Sequence, residues 1–365
     1  MPDKVHVSDV ESLYAAVNDP GNAGKTIVPA PGTYHLTRLN PLGAPRLNGG
    51  RLELQADMSM SGVNGHPDQV VIDSSDPDNG PTFNLGPGVN AGTIRMGRGR
   101  QTVESLTVIG GVRSAAGVQT DLVGGTPLLR IAHVVSTGSV RGIDVRNLGP
   151  EGAGRTLTVD LDRNEVTGNV TGTGQGIRFV NTASDGASIV ASLNGNESHG
   201  NIAGFLAANQ GSSGASVTID SRNDRFDDNQ IGGLILGGLQ GAAAASLAND
   251  NVVNLTMHAG SMARNDGVPQ TPQDFSGGLS VVGGAGAAPG STSRNTVKVS
   301  IVGLSFSGNL NTDVKAWGAK TTAAPAGTHN TVTVRLQGVS AQAVTAKDDS
   351  EPDEPAGTNR ATIEQ

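Results

Sequence analysis

The amino-acid sequence predicts an all-β solenoid, a parallel β-helix with one short helix at its start. Three observations predict it: a repeat that aligns without gaps, a second short strand after each copy, and a glycine-rich composition. The repeat reads RTLTVDLDRNEVTGN (155–169), ASIVASLNGNESHGN (187–201), ASVTIDSRNDRFDDN (215–229), NVVNLTMHAGSMARN (251–265), NTVKVSIVGLSFSGN (295–309) and NTVTVRLQGVSAQAV (330–344). An earlier copy, GTPLLRIAHVVSTGS (125–139), fits with Ser139 at its polar end. Positions three, five and seven are mostly apolar, as in Leu157, Val159 and Leu161 or Val332, Val334 and Leu336. Alternation with a period of two marks a strand with one buried face. The terminal Asn, often preceded by Gly or Asp, supplies a turn that tolerates left-handed backbone.

The second strands follow, usually opened by Gly: GIDVRN (142–147), GIRFVN (176–181), GFLAAN (204–209), GLILGG (233–238) and GLSVVG (278–283). The copies between 155 and 344 begin 28 to 44 residues apart, a solenoid period. No unit can bury its apolar face alone, so stacked units share a core. Gly, Asn and β-branched residues stand where a helical repeat would need helix formers.

Composition agrees. Glycine supplies 53 of 365 residues, about twice the usual ~7%. Charged residues, at 16%, fall below the usual ~25%. A solenoid grows by adding coils, so one elongated domain is expected. A formal net charge of −8 lacks the basic footprint a nucleic-acid partner requires. Cysteine is absent, which excludes disulfides and thiolate metal sites. The start, MPDKVHVSDV, has no charged-then-apolar leader, and no apolar run approaches ~18 residues. The expectation is a cytoplasmic protein with neither nucleic-acid nor membrane partners, with homo-oligomerisation left open.

In chain order, residues 8–17 (SDVESLYAAV) read as a short amphipathic helix. Ser8 and Glu11 form an S-x-x-E capping box, and Val10, Leu13, Tyr14 and Val17 share one face. Residues 25–37 give a strand, a Pro-Gly turn and a strand, so 1–37 is read as a cap and first coil. A cap helix covers strand edges that would otherwise template pairing. Coils then occupy 38–344. Those at 50–72 (Leu52, Leu54, Met58 and Met60 inward) and 91–110 precede the regular repeats, and long loops are expected at 266–276 and 284–294. The remainder, 345–365, is acidic and Pro-containing and reads as a disordered tail or a loose C-terminal cover.

A capping helix, then TIVPAPGTYHL, then coils with Asn turns resembles the single-stranded right-handed β-helix proteins of the pectin-lyase-like superfamily, over residues 5–344. The resemblance implies a right-handed β-helix. It does not fix an activity, because that superfamily includes lyases, hydrolases, epimerases and phage tailspikes. Its enzyme signatures are mostly missing. Asn311-Thr312-Asp313 matches the first polygalacturonase motif, but the remaining motifs do not follow it, and Asp227-Asp228 precedes it. The Asp-Pro-His of alginate epimerases is absent, and Trp317 is the single Trp, where sugar grooves generally use aromatic platforms.

Chemistry is sought on outward columns, where equivalent side chains of successive coils stand ~4.8 Å apart. Aligned second strands give Arg95, Gln119, Asp144, Arg178, Leu206, Ile235 and Ser280 in one column. The other holds Gly97, Asp121, Arg146, Val180, Ala208, Gly237 and Val282. Both columns pass from charged to apolar. The functional reading takes Asp121 and Asp144 as acid and base, roughly 8 Å apart at the backbone, with His133 as a further base. Arg95, Arg146, Arg178 and Gln119 would then bind an acidic or small saccharide. The bland reading is a ladder of opposite charges satisfying one another, with His133 and His199 as turn residues. Asp160 and Asp220 flank Ser192 in another column, a thin supply of oxygen for Ca²⁺, so no metal or other cofactor is expected. Leu206, Ile235 and Val282 read as exposed apolar residues, covered by the 266–294 loops, paired with a subunit or open to an apolar ligand. Three functions stay open: a lyase or hydrolase acting on a saccharide, a non-catalytic binding or assembly module, and an intracellular cyclase or isomerase acting on a small organic molecule.

Overall fold

The computed structural model describes residues 2–86, 89–111, 114–169, 174–240, 247–265, 277–286, 291–310, 312–321, 328–341, 343–348 and 359–365. The chain is a right-handed parallel β-helix, the fold that the resemblance implied. It divides into two compact units, Met1–Val145 with Leu157–Ile177, and Arg146–Thr156 with Arg178–Gln365.

In the first unit one sheet runs Lys4–Val7, Thr26–Pro29, Ser59–Ser61, Arg100–Ile109 and Leu128–Thr137, closing on residues 157–162. A second sheet runs Leu52–Glu53, Ile94–Arg95, Val118–Gln119 and residues 141–145. The second unit repeats the plan. Its first sheet stacks Ser188–Asn194, Ser216–Arg222, Val252–His258, Thr296–Val302, Thr331–Gln337 and Arg360–Glu364, all parallel. Its second stacks residues 178–182, Ala203–Gln210, Ile231–Leu239, Gly277–Gly286, Val314–Thr321 and Val344–Lys347. Short strands such as Glu197–His199, Ser261–Ala263 and Ser305–Ser307 form a third side of the coil.

Each coil turns its corner in the same way. Position nine of the repeat has positive φ in Arg163, Gly195, Asn223, Ala259, Gly303 and Gly338, and so does the matching His133. Three copies place glycine there, which takes this backbone at no steric cost. Next to the corners, asparagines form ladders. In one ladder Asn251, Asn295 and Asn330 each donate a backbone N–H to the Oδ1 of the next Asn, ending at Asn359, at 2.9–3.0 Å. A second runs through Asn201, Asn229, Asn265 and Asn309 at 3.0 Å. Buried turn amides must be paired, and an amide side chain of fixed reach does this once per coil. The interior is apolar, with Phe179, Phe205 and Phe226 stacked at 5.8 and 5.3 Å between ring centroids.

Three expectations need correction. The helix is Val10–Asn18, capped by Asp9 and Ser12 rather than by Ser8 and Glu11. Ser12 N donates to Asp9 Oδ1 at 2.8 Å and Asp9 N to Ser12 Oγ at 3.1 Å, while Glu11 pairs with Arg46. The 345–365 segment is not wholly a disordered tail: Arg360–Glu364 is a strand on Thr331–Gln337, because Asn359 continues the asparagine ladder. The strand Gly277–Gly286 runs into the expected 284–294 loop. The 266–276 loop and residues 287–290 lie outside the described residues.

Candidate functional site

The sequence-predicted residues divide between the units. Arg95, Gln119, Asp121, His133 and Asp144 belong to the first, Arg146 and Arg178 to the second. In the first unit the second sheet sets Arg95 beside Gln119 and Gln119 beside Asp144, the register the repeats imply. The groups are buried, however. The side chains of Asp121 and Asp144 are fully buried, and that of Arg95 is 11% exposed. Arg95 Nε donates to Asp121 Oδ1 at 2.8 Å, and Gln119 Nε2 donates to Asp121 Oδ2 at 2.9 Å. Arg95 Nη1 reaches Glu53 Oε1 at 2.5 Å, and Arg51 Nη2 reaches the same oxygen at 3.1 Å. Burial alone would depress the Arg95 guanidinium, but Asp121 and Glu53 outweigh it and hold its pKa above the ordinary value. Burial does depress Arg51, against the opposing influence of Glu53. Asp144 lies 3.9 Å from Arg141, whose Nε donates to Gln175 at 3.2 Å.

Glu53 and Arg51 were missed by sequence reasoning. The signal was present, since RLE (51–53) opens the coil before Arg95 and Glu53 pairs with Arg95 in register. His133 occupies a coil corner with positive φ, outside the Arg95–Asp121 cluster. In the second unit Arg178 Nη2 reaches Gln210 Oε1 at 3.4 Å, and Arg146 is buried. Asp160 and Asp162 close on Arg130, and Asp220 on Arg222. Among the described residues, no group of three or more His, Asp or Glu is placed to hold a metal ion. Among them, too, no helix is long and apolar enough to cross a membrane.

The apolar column also needs correction. Leu206 pairs with Leu234 rather than Ile235, and Ala208 with Leu236 rather than Gly237. Two adjacent glycines allowed the slip: Gly232, not Gly233, aligns with Gly204, and a Cβ on Gly232 would lie 2.4 Å from Gly278 O. Ile235 therefore pairs with Ala207 and Val281 and is fully buried. The outward column is not exposed either. Val180, Leu206, Ala208, Leu236, Val282 and Trp317 form one buried apolar cluster, with Leu234 and Leu239 packed against it.

Polar side chains are open to solvent on the third side of the second unit. A cleft of about 230 Å³ is lined by Glu197, Ser198, His199, Arg225, Asp227 and Asp228. Glu197, Arg225 and Asp228 have side chains 49%, 54% and 52% exposed, while Asp227 is 8% exposed. Arg225 Nη1 reaches Glu197 at 3.1 Å and its Nε reaches Asp227 at 3.6 Å. Ser261 Oγ and Ala263 N donate to Asp227, each at 2.8 Å. Asp228 receives Arg264 in bidentate fashion at 2.7 and 2.6 Å, and that hydrogen bond holds its carboxyl below the usual range. A larger groove of about 460 Å³ lies in the first unit beside Val7, Val28, Pro29, Ala30 and Val63. Its lining is mainly apolar and contains no ion pair, so the smaller cleft is where directional recognition is available.

No family model and no curated protein matches the chain. Among solved structures it is similar to the A-module of the mannuronan C-5 epimerase AlgE4 of Azotobacter vinelandii, with 13% identity and a TM-score of 0.45, over 96% of this chain and 92% of that one. The AlgE6 A-module of the same organism gives 13% identity and a TM-score of 0.43, over 97% and 93%. The catalytic unit of a GH87 α-1,3-glucanase from Streptomyces thermodiastaticus gives 14% and 0.36, over 98% and 64%. The parallel β-helix itself rests on this chain's own strand pairing.

Proposed function

We propose that this chain is a carbohydrate-active β-helix protein of the saccharide-binding kind, whose ligand contacts the Glu197–Asp228 cleft. The Asp/Arg set of the first unit serves as framework. One observation carries the reading: the cleft presents carboxylate acceptors and a guanidinium donor to solvent, whereas Asp121 and Asp144 are sealed. Sugar hydroxyls both donate and accept, and a carboxylate beside a guanidinium matches them in directed pairs. The test is calorimetric titration with mannuronate oligomers and α-1,3-glucose oligomers. Binding by either, abolished by Arg225→Ala, is expected. No binding, or binding that Arg225→Ala leaves intact, rejects the cleft.

A second reading keeps Asp121, Asp144 and Arg95 as an enzymatic groove for a lyase or hydrolase. It is favoured by Gln119 Oε1 and Arg51 Nε, buried polar atoms without a hydrogen-bond partner among the described residues. Such atoms are costly unless water or a ligand meets them. Mass spectrometry of the same oligomers after incubation decides it: products that vanish with Asp144→Asn establish this reading, and intact oligomers remove it.

A further inference from the structure

The third side of the second unit holds its polar groups in register. Glu197 pairs with Arg225, Arg225 with Ser261, Ser261 with Ser305 and Ser305 with Ser340, each on the next coil. Four steps of ~4.8 Å make this column roughly 19 Å long. Side chains alternate between the two faces of a strand. Phe226, Met262 and Phe306 are buried in the core, so Arg225, Ser261, Ser305 and Ser307 take the outward face. The Glu197–Asp228 cleft therefore borders a strip of hydroxyls, half-buried at Ser261 and exposed at Ser305, Ser307 and Ser340. The charges of the cleft do not balance. Glu197, Asp227 and Asp228 bring three carboxylates against the two guanidiniums of Arg225 and Arg264, one net negative charge with histidine counted as neutral. Both guanidiniums are already engaged, Arg225 by Glu197 and Asp227, and Arg264 by Asp228.

We propose that this side binds an uncharged saccharide chain lying across the coils, gripped by the cleft at one end and by Ser261, Ser305 and Ser340 beyond it, and that uronates are disfavoured there. The inference rests on the saccharide reading and narrows its ligand class. A uronate carboxylate entering the cleft must take a guanidinium from its partner or stand among three carboxylates, and like charges a few ångströms apart repel. Sugar hydroxyls need neither. They donate to carboxylate oxygens, accept from Arg225 and exchange hydrogen bonds with the serine hydroxyls, leaving the ion pairs in place. The serine strip adds to this preference, because its outward hydroxyls offer hydrogen bonds to a neutral chain and no counter-charge to an anionic one.

The experiment is calorimetric titration of the full chain at pH 8 with α-1,3-glucose and mannuronate chains, each as disaccharide and hexasaccharide. The glucose hexasaccharide should bind about fivefold or more tightly than the mannuronate one, and the gap should narrow in 0.5 M salt. It should also bind more tightly than its disaccharide, an advantage that Ser305→Ala with Ser340→Ala reduces by about threefold. Ser305→Lys with Ser340→Lys should raise the affinity for the mannuronate hexasaccharide by about fivefold. Mannuronate bound as tightly as glucose by the wild type overturns the proposal and leaves the saccharide reading standing. A glucose hexasaccharide no tighter than its disaccharide also overturns it, since the strip is then no part of the site. Binding of none of the four chains rejects the saccharide reading, and the proposal with it.

Discussion

The outward face of the second sheet is buried in both units, yet it is built from opposite materials. In the first unit it holds Arg51, Glu53, Arg95, Gln119, Asp121 and Asp144, tied by hydrogen bonds and ion pairs. In the second it holds Leu206, Leu234, Ala208, Leu236, Val282 and Trp317 in apolar contact, with Arg146 and Arg178 as its buried cations. Backbone pairing is parallel in each, so the strands do not dictate the choice. The first sheet behaves differently, since most of its outward residues stay partly or fully exposed, as in Val190, 42% exposed. Apolar packing gains about 25 cal/mol for each Å² removed from water, with no requirement on angle. An ionic face must recover the desolvation of every charge through geometry, and it fails abruptly when one partner is lost.

That asymmetry orders the expected effects. Arg95→Ala should be the most damaging of four substitutions, because it leaves buried carboxylates short of their cation. A loss of about 3–5 kcal/mol in urea unfolding is expected. Replacing Arg95 and Asp121 together by Met and Leu should recover most of that loss, as the second unit's solution implies. A double variant as weak as Arg95→Ala would show that the first unit needs its charges. Leu236→Ala should cost about 2–4 kcal/mol by leaving a cavity, and a value near zero would mean the apolar column carries no load. Asn295→Ala should cost about 1–3 kcal/mol, since it strands the Asn251 N–H in a buried turn. Asp228→Asn, on a half-exposed ion pair, should leave the melting temperature unchanged. A measurable drop there would reveal a role for the cleft in coil stacking.

Legibility in the sequence followed how local each constraint was. Period-two strands, corner glycines and terminal asparagines are each imposed within one coil, so the β-helix was readable from 155–344. The same signal marked the last strand, because NRATI (359–363) copies the NTVTV of 330–334, but the acidic stretch before it masked the match. The helix boundary moved because Asp9 and Ser12 cap each other while Glu11 pairs with Arg46. The slip at Gly232 and Gly233 was not readable, since either glycine satisfies the pattern and close approach to Gly278 decides between them.

The sequence by itself determined the repeating coil, the ladder positions and the charged-to-apolar change along one face. Those features depend on side chains at fixed spacing, which a single strand and turn already specify. Only tertiary structure decided that Asp121 and Asp144 are sealed, that Glu53 and Arg51 complete their network, and that the open polar groups lie around Arg225. Accessibility and charge pairing depend on what packs across a face from distant coils, and no local pattern carries that information.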